Sequence, residues 1–512
     1  MGVTLFHSER LLSQNLIRLS LALCALATAA EAQVAKTVKW ACIGNSITQG
    51  PSATDAYPAK LAKLLGVGYS VENDGVSGKT LLKAGDFSYW TQGKLANVFA
   101  FKPDIITIKL GTNDSKPINW DAHSGEFEKD YLALIDTLAA MPSKPTIWIL
   151  LPVPAFSDGA GATGIRGTVI KNEILPLVKK IAAARGLNTV DLYTPMLTHQ
   201  AFFADNVHPN AEGHDSIAAL IYRAYLAKST RVACIGNSIT EGAGVTADQA
   251  YPIKLGNLLG RSYYAVNYGK SGAYMQKVSP FPYWSTGLLQ KVIAFKPNIV
   301  TIKLGTNDSR ADYWHADKFT TDYKTFLDSL NTINPKPKIY MCMPVPAWQR
   351  NGVWPFNGIS DDIIKGQTIP TLTQIAKDKS IASIDLYNPM KTKEALVPDG
   401  VHPNAEGLDT LAHIIYRVLT APVVSLVSAS ARAYPEVERQ GDALLVSLPG
   451  SSEAVATLYA LDGRALASAA VHAGVPARIT TSGYAPGRYF LAVEANHPEG
   501  TTTARSVKPI SL

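Results

Sequence analysis

Residues 41–48 read Ala-Cys-Ile-Gly-Asn-Ser-Ile-Thr, and the same eight residues recur in the same order at 233–240. An apolar run that ends in Gly-Asn-Ser is typical of a buried strand followed by a tight turn. A longer block, residues 101–115, returns with two changes at 295–309. A period of about 193 residues is too long for one unit of a solenoid, and it predicts two whole domains in tandem.

Each copy alternates short apolar strands with amphipathic helices. In the first copy the predicted strands are Val38–Ile43, Tyr69–Asn73, Pro103–Leu110, Thr146–Pro152 and Asn188–Leu192, and the predicted helices include Tyr57–Leu65, Phe127–Ala139 and Ile170–Ala184. Strands that are apolar on both faces and separated by helices indicate a parallel sheet covered on both sides. Each copy is therefore predicted to be a doubly wound, flavodoxin-like α/β domain. Such domains bind ligands beyond the carboxyl ends of the strands, near the switch in strand order.

The end of the chain has a different pattern. Short strands are predicted at Ala443–Leu448, Ala454–Leu461, Ala465–Val471, Ala477–Thr481 and Arg488–Glu494, with turn signals such as Asp462-Gly463 between them. This spacing predicts a small C-terminal β-sandwich. The predicted boundaries are 33–228 and 229–420 for the two α/β domains, 421–433 for a linker and 434–512 for the sandwich.

The composition excludes several classes of protein. Of 512 residues, 46% are hydrophobic and 17% charged, which is too apolar for a disordered chain. The net charge of +7 is mild, and no Lys/Arg run concentrates it, so a nucleic-acid partner is not expected. Four cysteines are too few for a disulfide scaffold. Cys42, Cys234 and Cys342 lie in strand-like apolar runs, where a thiol usually acts as a small buried hydrophobe.

Residues 1–32 have the pattern of a secretory signal peptide. Arg10 and Arg18 precede an apolar stretch at 19–30, and Ala30-Glu31-Ala32 is a small-x-small cleavage site. The alternative is an N-terminal anchor that stays on the protein, but the apolar stretch is short for a membrane span. We therefore expect a secreted or cell-surface protein without stable membrane insertion.

Two histidines recur in register, and an aspartate precedes each of them by three residues. They are Asp205 and His208 in the first copy, and Asp399 and His402 in the second. The serines that recur after predicted strands are Ser46 and Ser238, after the first strand, and Ser77 and Ser271, after the second. Serine becomes a nucleophile when a base takes its proton, and a carboxylate fixes the tautomer of that base. Asp-x-x-His fits a turn in which the carboxylate reaches one ring nitrogen and leaves the other to face the serine.

Four blocks, in order and in both copies, resemble those of the SGNH (GDSL-like) hydrolases. In the first copy they are Gly44-Asn45-Ser46, Asn73-Asp74-Gly75-Val76-Ser77-Gly78, Gly111-Thr112-Asn113-Asp114 and Asp205-Asn206-Val207-His208-Pro209; in the second they are Gly236-Asn237-Ser238, Asn267-Tyr268-Gly269-Lys270-Ser271-Gly272, Gly305-Thr306-Asn307-Asp308 and Asp399-Gly400-Val401-His402-Pro403. One departure is that Asn45 and Asn237 stand where many members have Asp, which leaves the nucleophile in place.

The resemblance implies a role for each of these positions. Ser46 would attack an ester carbonyl, His208 would act as base and then acid, and Asp205 would orient His208. The oxyanion would be held by the backbone N–H groups of Ser46 and Gly78 and by the side-chain amide of Asn113. In the second copy the same roles fall to Ser238, His402, Asp399, Gly272 and Asn307. Asp114 and Asp308 are interpreted as structural, and no metal site or cofactor is expected.

Several side chains have both a structural and a functional interpretation. By itself, Gly-Asn-Ser after a strand is more often an ordinary turn or helix cap, and Asn113 could simply cap a loop. The recurring aromatic residues, Tyr89, Trp90, Tyr283, Trp284, Trp120 and Trp314, are expected in the core rather than against substrate. Trp348 and Trp354 occur only in the second copy, and Arg166 of the first copy becomes Ser360, so the two pockets are expected to differ.

These features predict a secreted serine esterase with two active sites that removes acetyl groups from carbohydrate, such as acetylated xylan. Modular chains of this kind are common among the family members that act on acetylated polysaccharides. One alternative is a lysophospholipase or thioesterase, because the resemblance defines the reaction better than it defines the acyl group of the substrate. The other is a carbohydrate-binding protein in which one catalytic copy is idle.

The C-terminal domain resembles the sorting domains of type IX secretion. The resemblance is carried by the run Gly487-Arg488-Tyr489-Phe490-Leu491-Ala492-Val493, followed by a basic residue and a terminal strand. It implies a Gram-negative bacterial source and contact with a secretion machinery. A carbohydrate-binding or spacer sandwich remains the alternative.

Overall fold

A computed structural model describes residues 37–91, 93–159, 164–421, 436–447, 454–459, 465–472, 475–484, 488–495 and 504–511. The predicted signal peptide and residues 422–433 of the predicted linker lie outside them. The chain divides into two compact units, one up to Tyr416 and one from Arg417 onward. In the described part of the chain, no helix has the length and apolar character that a membrane span needs.

The first unit contains two five-stranded parallel sheets with the same strand order. The first sheet consists of β1 (Val38–Gly44), β2 (Tyr69–Gly75), β3 (Ile105–Lys109), β4 (Thr146–Leu150) and β5 (Asn188–Val190), in the order β2-β1-β3-β4-β5. The second consists of β6 (Thr230–Gly236), β7 (Tyr263–Gly269), β8 (Ile299–Lys303), β9 (Lys338–Cys342) and β10 (Ala382–Ile384), in the order β7-β6-β8-β9-β10. The predicted doubly wound α/β fold is confirmed for both copies. The strand order switches between β1 and β3, and between β6 and β8.

Helices cover both sheets. In the first copy they are Ser46–Gln49, Tyr57–Leu65, Lys94–Phe101, Pro117–His123, Phe127–Ala139, Gly167–Val169, Leu175–Ala184, Tyr193–Met196 and Ala211–Lys228. In the second copy they are Ser238–Glu241, Tyr251–Leu259, Leu288–Phe295, Ala316–Leu330, Pro355–Gly358, Asp361–Ile363, Ile369–Asp378, Tyr387–Met390 and Ala405–Thr420. The helix predicted at 170–184 begins with a π-helical turn, Ile170–Ile174, and Ile364–Thr368 forms the same turn in the second copy.

Both faces of the first sheet are buried, as the continuous apolar strands predicted. Along β1, Trp40 and Cys42 belong to the core on one face, whereas Ala41 and Ile43 belong to the core on the other. This alternation follows from the two-residue period of a strand. The three described cysteines are free and buried, and burial raises the pKa of each thiol to about 12. The interpretation of these thiols as buried hydrophobes is confirmed.

The two copies meet around Tyr264 of β7. Ser229 alone separates the helix Ala211–Lys228 from β6. The Tyr264 hydroxyl of β7 donates to the carbonyls of Leu64 and Leu65, at 3.2 Å each, at the end of the helix that precedes β2. Tyrosine rings around Tyr264 fill the contact between the copies. Because the connection is one residue long and the contact is aromatic, we expect the two copies to form one body.

The second unit contains two antiparallel sheets. β11 (Glu436–Gln440), β12 (Ala443–Ser447) and β15 (Ala477–Thr480) form one, and β14 (Ala465–Val471), β13 (Ala454–Tyr459), β16 (Arg488–Ala495) and β17 (Ala504–Ser511) form the other. Leu444 and Ile479 of the first sheet share a buried core with Leu458 and Val493 of the second. The predicted β-sandwich is confirmed. β11 was not predicted, because its sequence, Glu-Val-Glu-Arg-Gln, has only one apolar residue.

Candidate active sites

The two candidate nucleophiles lie at the carboxyl ends of β1 and β6. Ser46 opens the short helix Ser46–Gln49, and Asn45 caps this helix by accepting a hydrogen bond from the Ile47 N–H at 3.1 Å. Asn237 caps the helix of Ser238 in the same way, at 3.2 Å from the Ile239 nitrogen. Asn caps a helix about as well as Asp. The departure from the family pattern at this position therefore leaves the turn intact.

Each serine hydroxyl lies within hydrogen-bond distance of a histidine ring, and that ring contacts an aspartate. In the first copy Ser46 Oγ is 2.8 Å from His208 Nε2, and His208 Nδ1 is 2.6 Å from Asp205 Oδ2. In the second copy the Ser238–His402 and His402–Asp399 distances are 2.8 and 2.7 Å. The structure thus brings together all six residues that the sequence predicted, in two separate groups of three.

A local turn presents each histidine to its serine. Asp205 Oδ1 accepts the backbone N–H groups of Val207 and His208, at 2.9 and 2.7 Å, while its Oδ2 contacts the imidazole. Burial raises the pKa of Asp205, but the hydrogen bonds and the nearby His208 outweigh it and leave the pKa below its ordinary value. Asp399 has the same environment and the same direction of shift. Both carboxylates therefore stay ionised and keep Nδ1 of the histidine protonated.

The loop after β2 carries the predicted oxyanion glycine. Gly78 has a φ of +77°, in the left-handed region that favours glycine, and Gly272 has +76°. The Ser77 N–H donates to the Gln49 side chain at 2.7 Å, which ties this loop to the nucleophile helix. In the second copy the Ser271 N–H donates to Glu241 at 2.6 Å. The recurring serines at 77 and 271 therefore contribute a backbone anchor beside each site.

The predicted oxyanion amide follows β3 on the other side of the strand switch. Asn113 Nδ2 donates one hydrogen bond to the Lys79 carbonyl at 3.0 Å, and Asn307 Nδ2 does the same to the Ala273 carbonyl at 2.9 Å. A side-chain amide has two N–H donors, so one remains on each residue. The first donor orients the amide, and the second has no acceptor among the described residues.

Asp114 and Asp308, which the sequence indicated to be structural, each bind backbone N–H groups of a neighbouring loop. Asp114 accepts the N–H groups of Leu81 and Leu82, at 3.0 and 2.8 Å, in the loop that begins at Gly78. Asp308 holds the N–H groups of Met275 and Gln276 in the second copy. Burial raises the pKa of Asp114 to about 6, although these hydrogen bonds oppose the shift. The recurrence of this aspartate beside Asn113 was the signal that could have indicated a positioning role.

The aromatic residues lie mostly where they were expected. Tyr89, Trp120 and Tyr283 are buried in the cores, while Trp90, Trp284 and Trp314 are partly buried and pack against them. Trp348 has an aromatic counterpart, Phe156: their N–H groups donate to the corresponding carbonyls of Gly400 and Asn206. Arg166 pairs with Asp121 at 2.6 Å. The first copy therefore has a phenylalanine at the position that corresponds to Trp348.

A cavity of about 260 Å³ adjoins the first serine. Its lining consists of Ser46, Ile47, Gln49, Gly50, Pro51, Ser77, His208, Pro209 and His214. The described residues contain no group of three or more His, Cys, Asp or Glu side chains placed to hold a metal ion.

Comparison with known proteins gives matches to both copies. Residues 42–215 and 234–409 each match the GDSL-like lipase/acylhydrolase family. An acetylxylan esterase from Xylanibacter ruminicola is 39% identical over 206 residues, which cover 36% of this chain and 42% of that protein. The match therefore spans less than half of the relative's length.

The solved structures each match a part of the chain about as long as one copy. A carbohydrate acetylesterase from Sinorhizobium meliloti is 19% identical with a TM-score of 0.33, covering 38% of this chain and 99% of that one. The native aryl esterase of M. smegmatis is 17% identical with a TM-score of 0.32, covering 37% and 98%. Because the family match covers more than half of the residues, the chain belongs to the GDSL-like lipase/acylhydrolase family and contains that family's domain twice.

Proposed function

We propose that the chain is a serine esterase with two active sites that removes acetyl groups from carbohydrate, such as acetylated xylan or a related oligosaccharide. The observation that carries the proposal is the Ser–His–Asp chain of short contacts in both copies, at 2.8 and 2.6 Å in the first and 2.8 and 2.7 Å in the second. The acetylxylan esterase relative supports the choice of substrate class.

In the proposed mechanism, Ser46 Oγ attacks the carbonyl carbon of the acetyl ester while His208 Nε2 takes the hydroxyl proton. Asp205 holds the tautomer that leaves Nε2 free to accept it and stabilises the imidazolium that forms. The negative charge that develops on the carbonyl oxygen is met by the N–H groups of Ser46 and Gly78 and by the amide of Asn113. Each such donor is typically worth about 10²–10³ in rate.

The tetrahedral intermediate then collapses. His208 gives its proton to the leaving alcohol oxygen, which frees the sugar hydroxyl and leaves an acetyl ester on Ser46. Water enters, loses a proton to His208 and attacks the acetyl carbon, and acetate leaves as the serine is restored. In the second copy Ser238, His402, Asp399, Gly272 and Asn307 have the corresponding roles. No step requires a metal ion or a cofactor.

Acetate release from acetylated xylan by Ser46→Ala, Ser238→Ala and the double variant tests this proposal. Each single variant should retain the activity of the other site, and the double variant should lose at least about 10³-fold. Full activity in the double variant would contradict the mechanism. Loss of all activity in one single variant would show that the other copy is idle.

The substrate class has its own test. The rates on acetyl esters and on long-chain acyl esters should differ in favour of acetyl. A preference for long chains would contradict the carbohydrate assignment and favour a lipase or thioesterase.

We also propose that the chain is exported, with residues 1–32 as signal peptide and the C-terminal sandwich as a sorting domain. The N-terminal pattern and the run at 487–493 support this assignment. Mass spectrometry of the exported protein should find neither segment in the mature chain. A mature chain that keeps the sandwich would contradict the sorting role and favour a binding module.

A further inference from the structure

The cavity beside Ser46 reaches the side of the nucleophile where His208 lies. Its lining includes His208 and the adjacent Pro209 together with Gln49 and Ser77, and it includes neither Gly78 nor Asn113. His208 delivers its proton to the leaving oxygen, so the alcohol half of an ester has to sit on this side. The volume of about 260 Å³ exceeds what an acetyl methyl needs and is just below the roughly 300–1,000 Å³ of typical ligand pockets. The cavity therefore suits a group of the size of a sugar ring.

His214 contributes a polar group to this cavity. It lies in the first turn of the helix Ala211–Lys228 and is only 1% exposed. Its Nδ1 is 3.2 Å from the Tyr57 nitrogen, and a backbone N–H can only donate. Nδ1 therefore accepts, and in the neutral ring the proton lies on Nε2. Among the described residues, the side-chain hydrogen bond of His214 is the one at Nδ1, so the Nε2–H group has no acceptor there.

The charge state of His214 fits a neutral ligand. Burial, followed by the nearby Lys109 and Lys60, lowers the pKa of His214 to about 4. At neutral pH the ring is uncharged and presents one N–H group. Such a donor matches a hydroxyl or ring oxygen of a sugar, and it gives no advantage to an anionic group.

The second copy has an apolar residue at the corresponding position. Residues 207–213 and 401–407 are identical, and the residue that follows each block is His214 in the first copy and Leu408 in the second. Leu408 is also only 1% exposed. The difference removes the N–H donor from the second copy while keeping an equally buried position.

We propose that His214 is a substrate-binding residue of the first site, where Nε2–H donates to an oxygen of the sugar that leaves as alcohol. The inference rests on the esterase function proposed above and adds the group that selects a polyhydroxylated alcohol. It also predicts that the two sites differ in specificity, because Leu408 takes the position of His214 in the second site and has no N–H donor in its side chain.

The test uses the full chain with Ser238→Ala, so that only the first site acts. In this background, His214→Asn keeps an acceptor for the Tyr57 N–H but has no donor at the reach of Nε2, whereas His214→Gln places an amide N–H there. The kcat/KM is measured for an acetylated xylo-oligosaccharide and for 4-nitrophenyl acetate, whose alcohol half has no other hydroxyl. His199→Asn, at an exposed histidine outside the cavity lining, is the matched control.

The ratio of the two kcat/KM values, sugar ester over nitrophenyl ester, should fall about tenfold in His214→Asn, mainly through KM. His214→Gln should restore part of the ratio, and His199→Asn should keep it. A ratio within twofold of the parent in His214→Asn, or an equal loss on both esters, would overturn the inference. If the Ser238→Ala parent hydrolyses neither ester, the proposed function of the first site is wrong. This outcome is distinguishable from failure of the His214 inference, because it is seen in the parent, where His214 is unchanged.

Discussion

The two candidate sites have the same Ser–His–Asp geometry but different surroundings. The Ser–His distance is 2.8 Å in both, yet the side chain of His208 is 41% exposed and that of His402 only 16%. The ring of Phe356 packs edge-on against His402, with centroids 4.7 Å apart. The corresponding segment of the first copy, residues 157–165, contains no aromatic residue. Local motifs therefore set the Ser–His–Asp contacts, and in the second copy the loop after the fourth strand also packs an aromatic ring against the histidine.

An arginine holds this loop in the second copy. Arg350 donates to the carbonyls of Pro398, at 3.0 Å, and Val397, and it pairs with Glu394 at 2.6 Å. These partners lie within the five residues that precede Asp399 in the chain. The loop that carries Phe356 is thus attached to the segment that leads to Asp399 and His402, and its Phe356 ring packs against His402.

The largest effect is expected from replacing the aspartate that contacts the histidine in each candidate site. Asp205→Asn in a Ser238→Ala background should lower kcat about 10³–10⁴-fold, because an amide no longer fixes the tautomer or stabilises the imidazolium. Asp399→Asn in a Ser46→Ala background should cause a similar loss. Steady-state acetate release measures both. A loss in only one of the two would show that the copies do not use the same chemistry.

Asp114 and Asp308 should have the next largest effect. In Asp114→Asn the side chain can accept only one of the two N–H groups that Asp114 binds. The loop that begins at Gly78 therefore loses one hydrogen bond. We expect kcat to fall about 5–150-fold, the equivalent of one unsatisfied buried donor, with a smaller change in KM. Asp308→Asn is the matched variant in the other copy. A change in KM alone would contradict a role in positioning the oxyanion donors.

The copies differ at the position that follows Asn73 and Asn267, and we expect the residue there in the first copy, Asp74, to make the stability of the protein depend on pH. Asp74 is buried, its carboxylate oxygens have no partner among the described residues, and burial and then Glu72 raise its pKa to about 7. The second copy has Tyr268 there. Since the folded state holds this proton more tightly than the unfolded chain, its contribution to stability is present below pH 4 and is lost as the pH rises to about 7.

Asp74→Asn should therefore stabilise the protein by roughly 2 kcal/mol above pH 7 and by little near pH 4. Urea unfolding from pH 4 to 8 measures the difference, with the exposed Asp248→Asn as control. A gain that does not depend on pH would contradict the account of a buried, protonated Asp74.

The smallest effect on activity is expected from removing the Phe356 ring that packs against His402 in the second site. In a Ser46→Ala background, Phe356→Ala should raise kcat/KM for bulky esters several-fold relative to acetyl esters, in line with roughly 1 kcal/mol for one aromatic contact. Val353→Ala, at a 66% exposed residue of the same loop, is the control. Unchanged selectivity in Phe356→Ala would show that this ring does not limit access.

Much of the fold and of the site could be predicted because the chain repeats itself. The recurring Ser46, Asp205 and His208 lie in local motifs whose strands and turns follow from hydrophobic period and turn chemistry. The recurrence of Asp114 could indicate a positioning role, but its partners could not be predicted, since they are N–H groups 32 and 33 residues away in another loop. The Phe356–His402 contact also depends on tertiary structure, because an exposed loop has no periodicity that shows where its rings pack.

The central claim is that one chain holds two assembled nucleophilic serines. Intact-protein and peptide mass spectrometry after reaction with a fluorophosphonate, which labels activated serines, tests this claim most directly. We expect two adducts per chain, on Ser46 and Ser238, with one lost in each Ser→Ala variant and both lost in the double variant. A single adduct in the unmodified chain, or labelling that persists in the double variant, would contradict it.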